Sequence, residues 1–306
     1  MERILVIKLG ALGDFVQASG PFAAIRKAHG GAEITLLTTR PFAQFAAASP
    51  WFDRVWVDTR PKLWQPHKVW ALRQKLRNGG FARVYDLQTS DRSGWYFRLM
   101  GGGVPWSGIA PGCSHPHANP GRDFMHTLDR QREQLAMAGI ADVGPPDLSW
   151  VAADTGRFAL PESYALLCPG GAPHRPAKRW PADRFAQLAA WLTARGLTPV
   201  LLGTASEQAE LAAIEAACPA ARSLAGQTSF LDIVVLGRGA ALAVGNDTGP
   251  MHLIAAAGCP SVVLFSHDSD PSLCAPRGRV TLLRKPTLAD LSVAEVQAAV
   301  DGAAVD

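Results

Sequence analysis

The 306-residue chain has no apolar run long enough to cross a membrane. Its densest stretches, Ile4-Leu5-Val6-Ile7 and Val262-Val263-Leu264-Phe265, fall far short of the roughly 20 residues a spanning helix needs. Its five cysteines are odd in number and include no Cys-x-x-Cys pair, which excludes a disulfide framework and a cysteine zinc site. Only 18% of residues are charged, yet 48% are apolar and the mean hydropathy is +0.05, which excludes a disordered chain. Nothing that reads as a leader precedes the first strand-like run, which begins within three residues of Met1. The expectation is a soluble, cytoplasmic protein.

What is present is unevenly spread. Residues 1–150 carry 18 Lys and Arg against 12 Asp and Glu, whereas residues 151–306 carry 12 against 14. Between Arg60 and Arg83 seven cations (Arg60, Lys62, Lys68, Arg73, Lys75, Arg77, Arg83) occur without one acid, and Trp64 and Trp70 lie among them. Such a segment suits an anionic membrane surface or a phosphorylated head group; a solvated helix face explains it equally well. Nothing in the pattern points to nucleic acid.

Short β-branched runs alternate with longer helical ones through both halves. Strands are expected near Arg3–Lys8, Glu33–Thr38, Arg54–Val57 and Arg83–Leu87, then near Tyr164–Cys168, Thr198–Leu202, Arg222–Leu224, Ala241–Val244 and Ser261–Phe265. Helices are expected between them, beginning with one over Phe15–Ala28 and ending with one over Val293–Val300. Alternation of this kind predicts α/β architecture, with parallel sheets covered on both faces. The Gly- and Pro-rich stretch 144–161 divides the chain into domains 1–150 and 151–306, each doubly wound. Residues 101–122, rich in Gly, Pro, His and Ser, read as a long loop.

Ligands of such sheets bind beyond the C-terminal strand ends, and three loops there carry unusual residues. The first, Lys8-Leu9-Gly10-Ala11-Leu12-Gly13-Asp14, is neither a Gly-x-Gly-x-x-Gly fingerprint nor a P-loop. Asp14 is a helix-start acid or a general base. The second, Cys168 to Pro181, holds Gly170, Gly171, His174, Arg175, Lys178 and Arg179, backbone donors and cations suited to phosphate, or else a solvated basic loop. The third, Val244-Gly245-Asn246-Asp247-Thr248-Gly249-Pro250-Met251-His252, is a capped helix start whose N–H groups form an anion site. Thr248 adds a hydroxyl, Asp247 can accept from ligand hydroxyls, and His252 sits about one turn in. Two anion loops in one domain suggest a diphosphate. A fourth segment, Gln88-Thr89-Ser90-Asp91-Arg92-Ser93, is polar enough to line a pocket or simply to cap a helix. His115, His117 and His126 lack the partners of a metal site, and no Asp-x-Asp pair is read as one.

Asp247-Thr248-Gly249 with His252 and an Ala-rich helix, the upstream Lys178-Arg179-Trp180-Pro181, and Gly13-Asp14 together resemble glycosyltransferase family 9, the heptosyltransferases, over nearly the whole chain. The resemblance implies a GT-B architecture, two Rossmann-like domains facing across a cleft, with the last helix packing back on the first domain. It implies inverting transfer of heptose from ADP-heptose to a lipopolysaccharide inner-core or related glycan acceptor. In that scheme Asp14 is the catalytic base. Lys178, Thr248, Gly249, Asp247, His252 and Glu207 bind the donor, Glu207 at the ribose, while Gly13, Gln88 and Arg92 line the acceptor site. No cofactor is required, with Mg2+ at most a stimulant, and the enzyme touches the inner membrane peripherally. Departures from the family pattern, such as Leu-Gly-Ala-Leu-Gly-Asp in the first turn, keep other readings open: another nucleotide sugar, an epimerase, or a nucleotide-sugar-binding protein on the same scaffold.

Overall fold

The computed structural model describes residues 1–171 and 175–303; Ala172, Pro173 and His174 of the expected phosphate loop lie outside them. The chain forms two compact units, Met1–Pro146 and Asp147–Asp306. The division falls four residues before the expected one. Arg238 donates to the carbonyls of Leu148 and Val151 and so ties these residues into the second unit.

The first unit contains six parallel strands, β1 (Arg3–Ile7), β2 (Glu33–Thr38), β3 (Arg54–Val57), β4 (Arg83–Asp86), β5 (Trp106–Gly108) and β6 (His115–Pro116), ordered β3-β2-β1-β4-β5-β6. Its helices are α1 (Leu12–Gln17), α2 (Ser19–Ala28), α3 (Arg40–Ala48), α4 (Pro66–Arg77), α5 (Asp91–Met100) and α6 (Thr127–Met137). The second unit repeats the plan with β7 (Tyr164–Cys168), β8 (Thr198–Leu201), β9 (Arg222–Ser223), β10 (Leu242–Asn246), β11 (Ser261–Phe265) and β12 (Val280–Arg284), ordered β12-β11-β10-β7-β8-β9. Around them lie α7 (Ala182–Thr193), α8 (Gln208–Ala217), α9 (Phe230–Gly239), α10 (Gly249–Ala256), α11 (Pro271–Cys274) and α12 (Val293–Ala303). In each sheet the opening strand is central and the strand order reverses beside it, between β1 and β4 and between β7 and β10. These are the two points where a doubly wound sheet leaves room for a ligand.

The central strands β1 and β7 are buried almost throughout, as near-continuous apolar runs covered on both faces must be. Leu5, Ile7, Leu76, Val84, Tyr96 and Trp106 share one core; Leu167, Trp180, Phe185, Leu201, Val244 and Leu264 share the other. The helix expected over Phe15–Ala28 is two helices meeting at Ala18. Pro21 has no N–H to give and its ring crowds the carbonyl four residues back, so a continuous helix is broken there. The stretch read as one loop, 101–122, contains β5 and β6, too short to show a period-2 pattern. The helix α6 and the edge strand β12 were also unforeseen. On α6 the buried stripe includes Thr127, Gln131 and Gln134, so the side it buries does not read as apolar. The last helix, expected against the first domain, places Val296 and Val300 in the second unit's own core, packed on β11, β12 and α7. Its apolar stripe is thereby used within the second unit.

The end of the first unit lies close against α2. A Cβ on Gly20 would stand 2.2 Å from the Gly144 carbonyl oxygen, a backbone atom that cannot swing away. Gly20→Ala is therefore expected to cost about 1–3 kcal/mol, measured as a lower urea midpoint at unchanged m-value.

Candidate functional site

At the switch point of the first sheet, the turn after β1 is held from three sides. The Leu9 N–H donates to Gln88 Oε1 at 2.7 Å, while its carbonyl accepts from Thr39 Oγ1 at 2.9 Å and from Arg60 Nη2 at 3.2 Å. This anchoring aims α1, whose first turn carries Gly13 and Asp14. Asp14 is partly exposed, and Thr127 at the start of α6 donates its hydroxyl to Asp14 Oδ1 at 3.3 Å. Beside it Lys8, 3% exposed, donates to the Leu87 carbonyl at 3.0 Å. Burial lowers the Lys8 pKa, an effect the charge of Asp14 opposes and that of Arg130 reinforces. A carboxylate held by a hydroxyl on one side, with a buried cation nearby, is equipped to take a proton from a bound hydroxyl.

Gln88 thus serves first as a brace for the turn. Arg92, in the first turn of α5, donates to Tyr96 Oη at 3.3 Å, and Tyr96 in turn donates to Asp58. Burial and the Asp58 carboxylate raise the Tyr96 pKa. Gln88, Arg92 and Asp14 all follow the C-terminal ends of β1 and β4, the edge on which the sequence places them. Thr127 escaped sequence reading because α6 itself did; Lys8 and Arg60 carried a charge but no spacing that set them apart.

In the second unit the loops after β7 and β10 are joined by one side chain. Asn246, fully buried, accepts from the Trp180 N–H at 3.0 Å and donates to the carbonyls of Pro169 at 2.6 Å and Gly170 at 3.2 Å. A Cβ on Gly170 would fall 2.0 Å from Glu207 Oε1, so a larger residue there would push that carboxylate off its bond to the Gly171 N–H. Lys178 Nζ lies 2.8 Å from Asp247 Oδ2 and 2.5 Å from Ser269 Oγ, and Ser269 donates to the same carboxylate oxygen at 2.6 Å. The cation and the acid expected to play separate parts are therefore paired. Ser269, on the loop after β11, was not foreseen. Thr248 precedes α10, yet its buried Oγ1 caps nothing and has no partner among the described residues, and Gly249 opens the helix beside it.

Two expected donor residues are drawn into the scaffold. Glu207 Oε1 accepts from the Gly171 N–H at 2.9 Å, and Oε2 accepts from Thr204 N–H at 2.7 Å and Thr204 Oγ1 at 2.8 Å. Three of about four acceptor positions are thus in use. His252 is 7% exposed within α10 and has partners of its own.

His115, His117 and His126 go separate ways: His115 to Ser114, His117 to Arg122 and Glu133, His126 to the first turn of α6. Asp268-Ser269-Asp270, an Asp-x-Asp string that sequence reading passed over, contributes Asp270 as the cap of α11, accepting from the Ser272 N–H at 3.0 Å. Among the described residues no group of three His, Cys, Asp or Glu is placed to hold a metal.

Two six-stranded parallel sheets, each with a polar loop set at its switch point, define the class: a GT-B type fold of paired Rossmann-like domains. The family model of glycosyltransferase family 9 (heptosyltransferase) matches residues 69–281, and the chain belongs to that family. It is similar to lipopolysaccharide heptosyltransferase 2 of Salmonella typhimurium, 39% identical over 119 residues. That match covers 37% of this chain and 34% of the relative, so it spans about a third of that relative's length. Lipopolysaccharide heptosyltransferase 1 of Pseudomonas aeruginosa is 27% identical over 90% of this chain and 82% of its own. Among solved structures, E. coli ADP-heptose lps heptosyltransferase II superposes with a TM-score of 0.81 at 22% identity, covering 100% of this chain and 99% of the other.

Two outcomes test the local physics. Asn246→Ala strips three backbone groups of their partner and should lower stability by about 3 kcal/mol in urea unfolding. Asp86, buried below the first site, has its pKa pushed up to about 6 by burial, against hydrogen bonds from Ser93 and the Thr89 and Gln88 N–H groups. The folded state therefore holds this proton more tightly than the unfolded chain. Stability should fall by up to about 3 kcal/mol as pH rises from about 4 to about 6, and then level off. Asp86→Asn should flatten that slope.

Proposed function

We propose that the protein is an inverting glycosyltransferase that moves heptose from ADP-heptose to a lipopolysaccharide inner-core or related glycan acceptor. The observation that carries the donor half is Thr248: a buried hydroxyl without a partner among the described residues, at the start of α10 and next in sequence to Asp247, which pairs with Lys178. The N–H groups around Thr248 and Gly249, a helix dipole, a hydroxyl and an ammonium suit a diphosphate, although Pro250 has no N–H and that of Met251 goes to the Thr248 carbonyl. Family membership and the names of the relatives narrow the nucleotide sugar to ADP-heptose and the acceptor to lipopolysaccharide.

In this reading Asp14 removes the proton from the acceptor hydroxyl as its oxygen attacks the anomeric carbon from the face opposite the diphosphate. The bond from that carbon to the phosphate oxygen breaks, the configuration inverts, and ADP departs with the electron pair. Charge grows on the leaving diphosphate. The α10 N–H groups, Thr248 Oγ1 and Lys178 meet it; an ammonium carries three protons, and Lys178 commits two of its positions to Asp247 and Ser269. Asp247 holds Lys178 in place and faces sugar hydroxyls, Glu207 keeps one lone pair for the ribose, and His252 completes the donor-binding set one turn into α10. Arg92, with Gln88 and Gly13 beside it, suits an acceptor phosphate or carboxylate. No metal takes part in this scheme, so chelation should leave transfer intact and Mg2+ should stimulate at most. Transfer at the cytoplasmic side of the inner membrane is part of the same proposal.

Calorimetry with ADP, UDP and GDP tests the donor. Micromolar binding of ADP, weakened about tenfold or more by Lys178→Ala, is expected. Preference for UDP or GDP would overturn the heptose donor, and no binding at all would overturn the diphosphate site. For the acceptor half, Asp14→Asn should lower kcat by about 10²–10⁴-fold while ADP affinity stays unchanged.

A further inference from the structure

At the N-terminal ends of β1, β2 and β3, the edge of the first sheet opposite the one that carries Asp14, a pocket of about 260 Å³ opens beneath α4. Its lining follows from register. Arg3 pairs with Glu33 and Thr35 with Arg54, and residues two apart on a strand point to one face. Leu5, Leu37 and Trp56, further along the same strands, pack with Leu72 and Leu76 of α4, so Arg3, Glu33 and Arg54 stand on that face too. Lys75, in the last turn of α4, and Asn78, at its end, close the other side. Trp56 and Phe81 meet edge to face at 5.4 Å and form the apolar wall.

The pocket is rich in donors and poor in acceptors. Glu33 is the one carboxylate in its lining, and both oxygens are taken. Oε1 faces Arg3 Nε at 3.4 Å and Oε2 faces Arg54 Nη2 at 3.0 Å. Arg3 gives one further bond, from Nη1 to the Gly79 carbonyl at 3.3 Å. A guanidinium carries five N–H protons, so most of those on Arg3 and Arg54 have no partner among the described residues. Lys75 lies over the Trp56 ring at 4.5 Å and pairs with no carboxylate among the described residues. Burial lowers its pKa, an effect that the charge of Asp58 only partly offsets, and Asp58 is already engaged by Tyr96 and the Arg60 N–H. Three positive charges thus converge on a space that holds one negative charge. The carbonyl end of α4 adds about half of another, which leaves the balance in favour of an anion. Guanidinium pairs match the oxygens of a phosphate, and an ammonium adds a point charge. A pocket of this volume admits a phosphate with at most a small organic group attached.

The geometry points to an anion site separate from the loops of the second unit: Arg3, Arg54 and Lys75, set against Trp56, bind a phosphate group, either free or carried by a small phosphomonoester. The site lies at the other end of the sheet from Asp14 and in a different unit from Thr248. It goes beyond the transfer chemistry and does not depend on the sugar, the nucleotide or the acceptor.

Calorimetric titration of the full chain with inorganic phosphate, and separately with glycerol phosphate, tests it. The titrations use the Lys178→Ala background, so that the anion loops of the second unit contribute little. One site is expected, with an affinity that falls as sodium chloride is raised. Adding Arg54→Ala/Lys75→Ala should weaken it about tenfold or more. The same pair in the otherwise unaltered chain should leave ADP affinity unchanged. Lys75→Gln alone leaves the contacts of Glu33 with Arg3 and Arg54 in place, should weaken binding in the same direction, and keeps the test open should the double variant misfold. Tighter binding of glycerol phosphate assigns the pocket to an ester and tighter binding of phosphate to the free ion; either supports the proposal. No heat with either ligand, an affinity that both pocket variants leave unchanged, or a parallel loss of ADP affinity would overturn it.

Discussion

The second unit is organised around the buried amide of Asn246. It closes β10, yet its hydrogen bonds go to Pro169, Gly170 and Trp180, the two ends of the loop that carries the cations. A buried backbone group without a partner is costly, so the loop keeps the path on which all three are satisfied. That path places Lys178 against Asp247 and Ser269, and leaves Thr248 at the head of α10 with a hydroxyl to offer. Trp180, fully buried, extends the same constraint to the far side of the domain through its indole N–H to the Leu291 carbonyl at 2.8 Å. Geometry at the anion site and packing in the core are thus one problem with one solution.

The first unit solves an analogous problem by different means. Its turn after β1 is braced by side chains from three other segments acting on Leu9, and its acid is steadied by Thr127. Beneath lie groups that folding alone would not choose: Lys8 buried, and, without a partner among the described residues, Asp86 Oδ2 and both amide atoms of Gln131 on α6. Burying such groups costs stability. The cost is concentrated around Asp14, in keeping with the catalytic role proposed for it.

Much of the site was legible because its chemistry is local. Asp14, Lys178, Asp247 and Thr248 lie in short motifs immediately after strands, and strand ends are where a doubly wound sheet presents its ligands. Glu207 and Gln88 were legible as positions but not as tasks: each bonds a backbone group distant in sequence, Gly171 and Leu9 respectively, and no local pattern announces such a partner. Thr127 and Ser269 were illegible altogether. Thr127 belongs to a helix whose buried stripe is polar, so the periodicity that would reveal α6 is muted, and Ser269 earns its place only through proximity to Asp247.

The sequence by itself determined the alternation of strands and helices, a division within the Gly- and Pro-rich stretch 144–161, the three loops that bear charge, and the family, because each depends on residues within a few positions of one another. Tertiary structure alone decided which strands stand at the edges, that α12 spends its apolar stripe on the second sheet, and that Lys178 and Asp247 meet. Those outcomes rest on contacts between residues dozens of positions apart. There the satisfaction of buried polar groups and the filling of a shared core choose among arrangements that the local pattern permits equally.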